Sequence, residues 1–238
     1  MNSSKIKAVI ASSDIYKESV NNLKKMGLET FFSYSNQNVL SPLSKHTDMQ
    51  LAKISDNKYV CAPECYEHYK LFFSKFNKEL IKGNTYLSCN YPLDIAYNII
   101  VTDNKAIHNF KYTDKTVKEN IKSKEKINVS QGYTACTLCL ISENAAITSD
   151  EGIKKVLLQN NFDVLLVNDD NILLPGFDHG FLGGASFMLS PSCLAVNGNI
   201  ETHLDSEKIK AFSSKHGVEI ISLANKEIMD IGSVITIR

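Results

Sequence analysis

Five short segments combine side-chain types that can do chemistry. They are "HTDMQ" (His46–Gln50), "YPLDIAYN" (Tyr91–Asn98), "QGYTAC" (Gln131–Cys136), "GFDHGFLGGAS" (residues 176–186) and "DIGS" (Asp230–Ser233). His46 and Asp48 are two positions apart, so on a strand both face one cavity. A carboxylate there can accept two parallel N–H bonds from a guanidinium. The plainer reading is a polar strand entrance that caps a turn. Asp94 and Asn98 can offer such a ligand a second carboxylate and an amide, but "YPLD" is equally a turn set by Pro92. Cys136 becomes a nucleophile only beside a cationic group that yields its thiolate. No His is near it in sequence, although His179 or His46 can approach in space; otherwise it is a small buried strand residue. His179 stands among Gly176, Gly180, Gly183 and Gly184, a spacing that implies close backbone approach or unusual dihedrals. A His in such a loop can act as general acid or base at a cavity rim, or it can tie the loop down.

Several function classes fall away. The glycines around His179 do not form a dinucleotide fingerprint, because no helix follows directly, and no cofactor is expected. Cys136 and Cys139 form "CTLC" within "TACTLCLIS", which reads as a strand. Residues three apart on a strand point to opposite faces, so the expectation is two separate buried thiols, with no metal and no redox pair. The chain has 26 Lys+Arg and 26 Asp+Glu, leaving no basic excess to displace counterions from nucleic acid. The apolar run Ala8–Ala11 is too short for a signal-peptide core, and no stretch is long enough to span a membrane. Reduced thiols in a cytoplasm are therefore expected. The 238 residues, 43% hydrophobic, have ordinary globular composition.

The elements that must position these residues repeat. "KISDNKYV" (Lys53–Val60) and "IVTDNKAI" (Ile100–Ile107) place one polar turn between apolar arms, and Ser55 and Thr102 are 47 positions apart (102 − 55). Similar hairpins follow at Ser142–Ala145 and Ser190–Cys193. After each hairpin the pattern predicts a helix: Pro63–Lys82, Thr113–Lys124, Ser149–Asn160 and Asp205–His216, with Thr113, Ser149 and Asp205 as N-caps. Third strands follow at "NTYLSC", "INVSQG", "FDVLLV" and "VEIISL". A fifth copy is split: "IGSVITIR" at the C-terminus supplies its first arm, so Ser233–Ile237 should pair with Ile6–Ala11. Such units cannot bury their apolar faces alone, and splitting one between the termini closes a ring.

A ring of five ββαβ units with one unit split between the termini resembles the pentein fold, the α/β propeller of the guanidino-group-modifying enzymes. Arginine deiminase, agmatine deiminase, dimethylarginine dimethylaminohydrolase and the amidinotransferases have it; a ribosome anti-association initiation factor shares the architecture without catalysis. The five motifs are similar to those of an uncharacterised bacterial family with this fold. The resemblance implies a single α/β domain over residues 1–238, with the motifs directed at the ring's centre. It also implies a polar pocket there that binds or hydrolyses a small guanidino- or amidino-like compound, with His179 and Cys136 as catalytic candidates and His46, Asp48, Asp94 and Asn98 as ligand-binding candidates. The alternative is a non-catalytic interaction protein with an idle centre. One departure matters: the superfamily's enzymes carry a nucleophilic Cys in the final unit, and the matching stretch here has Ser233. An enzyme using Cys136 instead would show selective labelling of that thiol near neutral pH. "THLD" (Thr202–Asp205) matches the "HLD" of deiminases only in letters, and His203 is expected on the surface.

Overall fold

The computed structural model describes residues 5–238 and contains five three-stranded sheets built alike. In each, an antiparallel hairpin leads into a helix that returns the chain as a third strand, parallel to the hairpin's second arm. The sheets are β15-β1-β2 (Ile235–Ile237, Ala8–Ala11, Glu29–Phe32), β3-β4-β5 (Leu51–Ser55, Lys58–Cys61, Glu79–Lys82) and β6-β7-β8 (Ile100–Val101, Lys105–His108, Glu125–Asn128). The last two are β9-β10-β11 (Leu138–Ser142, Ala145–Thr148, Asp163–Leu166) and β12-β13-β14 (Ser186–Ser190, Cys193–Val196, Glu219–Ser222). This is the α/β propeller expected from the repeat. The split unit closes as expected, with Ala8 opposite Ile237 and Ile10 opposite Ile235.

Burial follows position in the unit. The middle strands, such as "AVIA" and "AAIT", are buried along their whole length, because a first arm and a third strand flank each of them and helices cover a face. They therefore read as continuous apolar runs without alternation. The third strands lie outermost and are half-exposed, and each opens with an acidic residue: Glu29, Glu79, Glu125, Asp163 and Glu219. Two positions earlier, Gly27, Asn77, Asn161 and Gly217 take left-handed φ values of 82°, 54°, 61° and 71°, which end the preceding helix in four of the five units.

Three expectations need correction. The helix expected over Pro63–Lys82 runs only over Tyr66–Lys75; Asn77 reverses the chain, and "ELIK" is the third strand, with "NTYLSC" in the following loop. The caps near Thr113 and Ser149 are the next residues: Asp114 accepts from the Thr116 and Val117 N–H groups (2.8 and 3.2 Å), and Asp150 accepts from Ile153 N–H (2.7 Å). Asp205 does stand at a helix start, but its carboxylate bonds Asn168 N–H at 2.8 Å and Lys208 instead of its own helix. Finally, three of the motif segments enter their strands through one turn of helix, at Thr47–Gln50, Thr134–Thr137 and Leu182–Ala185.

Candidate functional site

The first arms of the five sheets surround a central channel of about 210 Å³, whose lining also includes Asp48, Ala135, Gly183 and Ser233 from the segments that lead into those arms. Segments 33–50, 83–99, 129–137, 167–185 and 223–234 connect the units, and their ends meet. Asp48 N–H donates to Gly232 O (3.0 Å), Ile231 and Ser233 N–H donate to Gly184 O (3.1 and 2.8 Å), and Ala135 N–H donates to Asn98 Oδ1 (2.7 Å). All five motifs thus come together. Glycine is what permits the close packing: a Cβ at Gly184 would overlap the Asp230 carboxyl, and one on Gly232, itself at φ 71°, would overlap His46.

A second cavity, about 310 Å³, lies against the same cluster and is lined by His46, Tyr133, Cys136, His179, Asp230 and the apolar Leu43, Leu174, Phe177 and Phe181. The cluster separates the two spaces. Cys136 faces the larger cavity, and its thiol donates at 3.1 Å to Oδ2 of Asp48, which lines the channel. Asn98 Nδ2 donates to Cys136 Sγ at 3.2 Å and fixes the thiol from behind.

His46 and Asp48 meet this cluster by a different route from strand parity. On a helical turn, residues two apart point to opposite sides. His46 precedes the turn in an extended conformation (ψ 121°), so its ring enters the cavity while Asp48 lines the channel. His179 is half-buried on the cavity wall. Its Nδ1 lies 2.8 Å from Gly180 O, so that nitrogen carries the proton and Nε2 is left for other partners. Asp94 and Asn98 stand behind the lining: Asp94 Oδ2 accepts from the Tyr133 hydroxyl at 2.5 Å, and Asn98 is fully buried. The carboxyls that line the cavity are Asp178 and the buried Asp230, the first residue of "DIGS", neither of which held a place among the candidates. The Asp230 oxygens accept from Phe181 N–H (3.0 Å) and Gly232 N–H (2.9 Å). Ser233 takes a left-handed φ of 59° and turns its hydroxyl toward the backbone, donating to Gly183 O at 3.0 Å.

Burial sets the electrostatics. It raises the Asp48 carboxyl to about 6 and the Asp230 carboxyl to about 8, with the Asp48 charge adding to the latter. Burial also lowers His46 to about 4, so its ring is neutral at ordinary pH. The Cys136 thiol is pushed well up, by burial first and then by the Asp48 and Asp230 charges. In the free protein this environment favours the protonated thiol at Cys136. Limited labelling with a thiol reagent near neutral pH, read by mass spectrometry, is expected to modify exposed Cys89 first and Cys136 last of the two. Faster modification of Cys136 would overturn this description. Cys139 is a separate buried thiol that accepts from Ser186 Oγ at 3.2 Å. His203, expected on the surface, is buried, with Nε2 donating to Asp169 Oδ1 at 3.1 Å.

Comparison with solved structures places this architecture. Agmatine deiminase from C. jejuni superposes with a TM-score of 0.60 at 14% identity, over 98% of this chain and 93% of that one. An inosamine-phosphate amidinotransferase from Streptomyces griseus gives 0.61 at 9% identity, over 98% and 94%. An amidinotransferase from Microseira wollei, of the saxitoxin biosynthetic pathway, gives 0.59 at 9%, over 98% and 94%. These likenesses show the pentein fold. No helix among the described residues is long and apolar enough to cross a membrane. No curated protein sequence matches the chain. A family model described as "Family of unknown function (DUF6873)" matches residues 10–235, and the chain belongs to that family.

Proposed function

We propose that the chain binds a small guanidinium- or amidinium-like cation in the 310 Å³ cavity, over Cys136 and against Asp230, with the Asp48 carboxyl behind the Cys136 thiol. The carrying observation is two buried carboxyls, Asp48 and Asp230, neither paired with a Lys or Arg among the described residues. A carboxyl left so is costly unless a ligand supplies the opposite charge. The other groups suit that ligand. His46 is neutral and does not repel a cation, and Phe177, Phe181 and Leu174 can cover a planar apolar face. The neighbours of similar fold, an agmatine deiminase and two amidinotransferases, support the same ligand class. In this reading Asp94 and Asn98 are positioning residues, acting through Tyr133 and Cys136.

Hydrolysis is the finer proposal. A bound cation favours the ionised forms of both Asp48 and Cys136, and so supplies the positive environment that the free site lacks. As the Cys136 sulfur attacks the amidino carbon, His179 Nε2 would take the thiol proton and pass it to the departing amine, and water would then cleave the S-linked intermediate and restore the thiol. The cluster of buried titratable groups weighs against the idle centre of a purely structural interaction protein.

The test is the pH dependence of affinity. The cation binds the ionised carboxylates, so affinity should rise with pH as Asp48 (about 6) and then Asp230 (about 8) lose their protons. Calorimetry with arginine, agmatine, methylarginine and creatine should find one ligand whose affinity climbs roughly tenfold between pH 5 and pH 8, with proton release to the buffer. An affinity that is flat or falls over that range would count against the carboxylate contacts.

A further inference from the structure

His46, Asp48 and Cys136 come from two connecting segments, yet they place one ligand atom each (a ring nitrogen, a carboxylate oxygen and Sγ) within 4.8 Å of one another. All three residues are at least 95% buried, with relative exposures of 2%, 4% and 5%. Packing alone leaves this cluster incomplete, because His46 Nδ1 and Asp48 Oδ1 are both buried without a hydrogen-bond partner. We propose that these three side chains form a binding site for one soft divalent transition-metal ion, zinc by preference, with the fourth coordination position open to the 310 Å³ cavity.

Geometry, chemistry and access support this. Zinc with bonds of about 2.0–2.3 Å in a tetrahedral site holds its ligand atoms roughly 3.3–3.8 Å apart. The Cys136 Sγ–Asp48 Oδ2 separation is 3.1 Å, so that edge needs to open only slightly, and the full set, within 4.8 Å, closes by small rotamer shifts. A thiolate and an imidazole select zinc over magnesium or calcium, which take oxygen ligands. Charge balances as well. Zinc would take Cys136 as thiolate and Asp48 as carboxylate, giving a neutral centre with neutral His46, while the thiol proton leaves to solvent. The ion would supply a counter-charge to the buried Asp48 carboxyl, whose Oδ1 is otherwise without a partner. Asn98 Nδ2 already donates to the sulfur at 3.2 Å, the outer-layer contact that holds a ligand in place. His46 and Cys136 line the cavity, which gives the ion its entry path.

The inference does not depend on the guanidinium proposal, since a protein that ignores every guanidino compound can still bind zinc. Where both hold, the two cations share one site and exclude each other. The test uses the full chain, reduced and stripped with a chelator. Calorimetry with zinc alone should show one ion per chain with a dissociation constant of roughly micromolar or tighter, and zinc should raise the melting temperature. Cobalt in place of zinc should give a thiolate-to-cobalt charge-transfer band. Cys136→Ser should abolish that band and weaken zinc at least tenfold, and His46→Gln should weaken zinc as much. Cys139→Ser should keep both signals, because that equally buried thiol is outside the cluster. Failure of folded wild-type protein to bind zinc, or a band that survives Cys136→Ser, would overturn the assignment.

Discussion

Gly183→Ala is expected to destabilise the fold by ~3 kcal/mol or more, enough to leave a marginal protein largely unfolded. A Cβ at Gly183 overlaps Cys136 O and stands 2.8 Å from both C and O of Leu138. These neighbours are backbone of the one-turn helix Thr134–Thr137 and of β9, and they cannot swing aside as a side chain can. The substitution must therefore push two connecting segments apart at the point where the five motifs meet. Gly27→Ala is the control. Its Cβ meets nothing within 4 Å, and its cost is only that of an alanine at φ 82°, ~1 kcal/mol. Denaturant melts of the two variants would check the ranking; equal losses would mean that the close approach at Gly183 carries no special weight.

Asp48→Asn should make the protein more stable while removing the proposed cation affinity. Asparagine keeps an oxygen for the Cys136 thiol, and its amide can occupy the position of Oδ1, which has no partner now. The wild-type carboxyl titrates at about 6 in the folded chain against an ordinary 3.8. Its folded pKa is raised, so the folded state holds the proton more tightly than the unfolded state does. Wild-type stability from this group is fully present below about pH 4 and is lost as pH rises to about 6, by up to ~3 kcal/mol. The variant lacks this loss, so its advantage in thermal melts should be near zero at pH 4, grow to pH 6 and stay level above. Ligand affinity should fall by 10²-fold or more, on the order of 3 kcal/mol, because a charged partner of the cation is gone. A residue that lowers stability in exchange for binding is what a functional site predicts. An Asp48→Asn variant that melts lower at pH 7 than the wild type would mean that the carboxylate has a structural partner.

Much of the ring is legible in the sequence because its signals are local. The Ser/Thr-Asp-Asn-Lys turns at Ser55 and Thr102 sit between arms that pair as expected, Ser55 with Lys58 and Ile100 with Ile107. The Gly27 and Gly217 helix ends are equally plain. Asn77 and Asn161 do the same work with a residue that less clearly stops a helix, so the helix at Tyr66 looked long enough to absorb "ELIK". An acidic residue two positions after each left-handed residue is the signal that separates them, since Glu79 and Asp163 stand where Glu29 and Glu219 do.

The motifs are legible as a set because each precedes a first arm, but their geometry is not. A one-turn helix such as Thr47–Gln50 is too short for periodicity to reveal, and strand parity therefore misassigned the facing of His46 and Asp48. Asp230 had a readable signal: "DIGS" occupies in the split unit the place that "HTDM" occupies in the second. The buried pair His203–Asp169 had none, because its partners are 34 residues apart in sequence and meet only through the crossover between two sheets.

The most direct measurement of the central claim is calorimetric titration of the wild type, Asp48→Asn and Asp230→Asn with arginine, agmatine, methylarginine and creatine at pH 8, where both carboxylates are available to a cation. Expected is binding of at least one compound by the wild type at one site per chain, weakened tenfold or more in each variant, with all three proteins folded. No binding by the folded wild type, or binding that neither variant changes, would contradict a cation site at these two carboxyls.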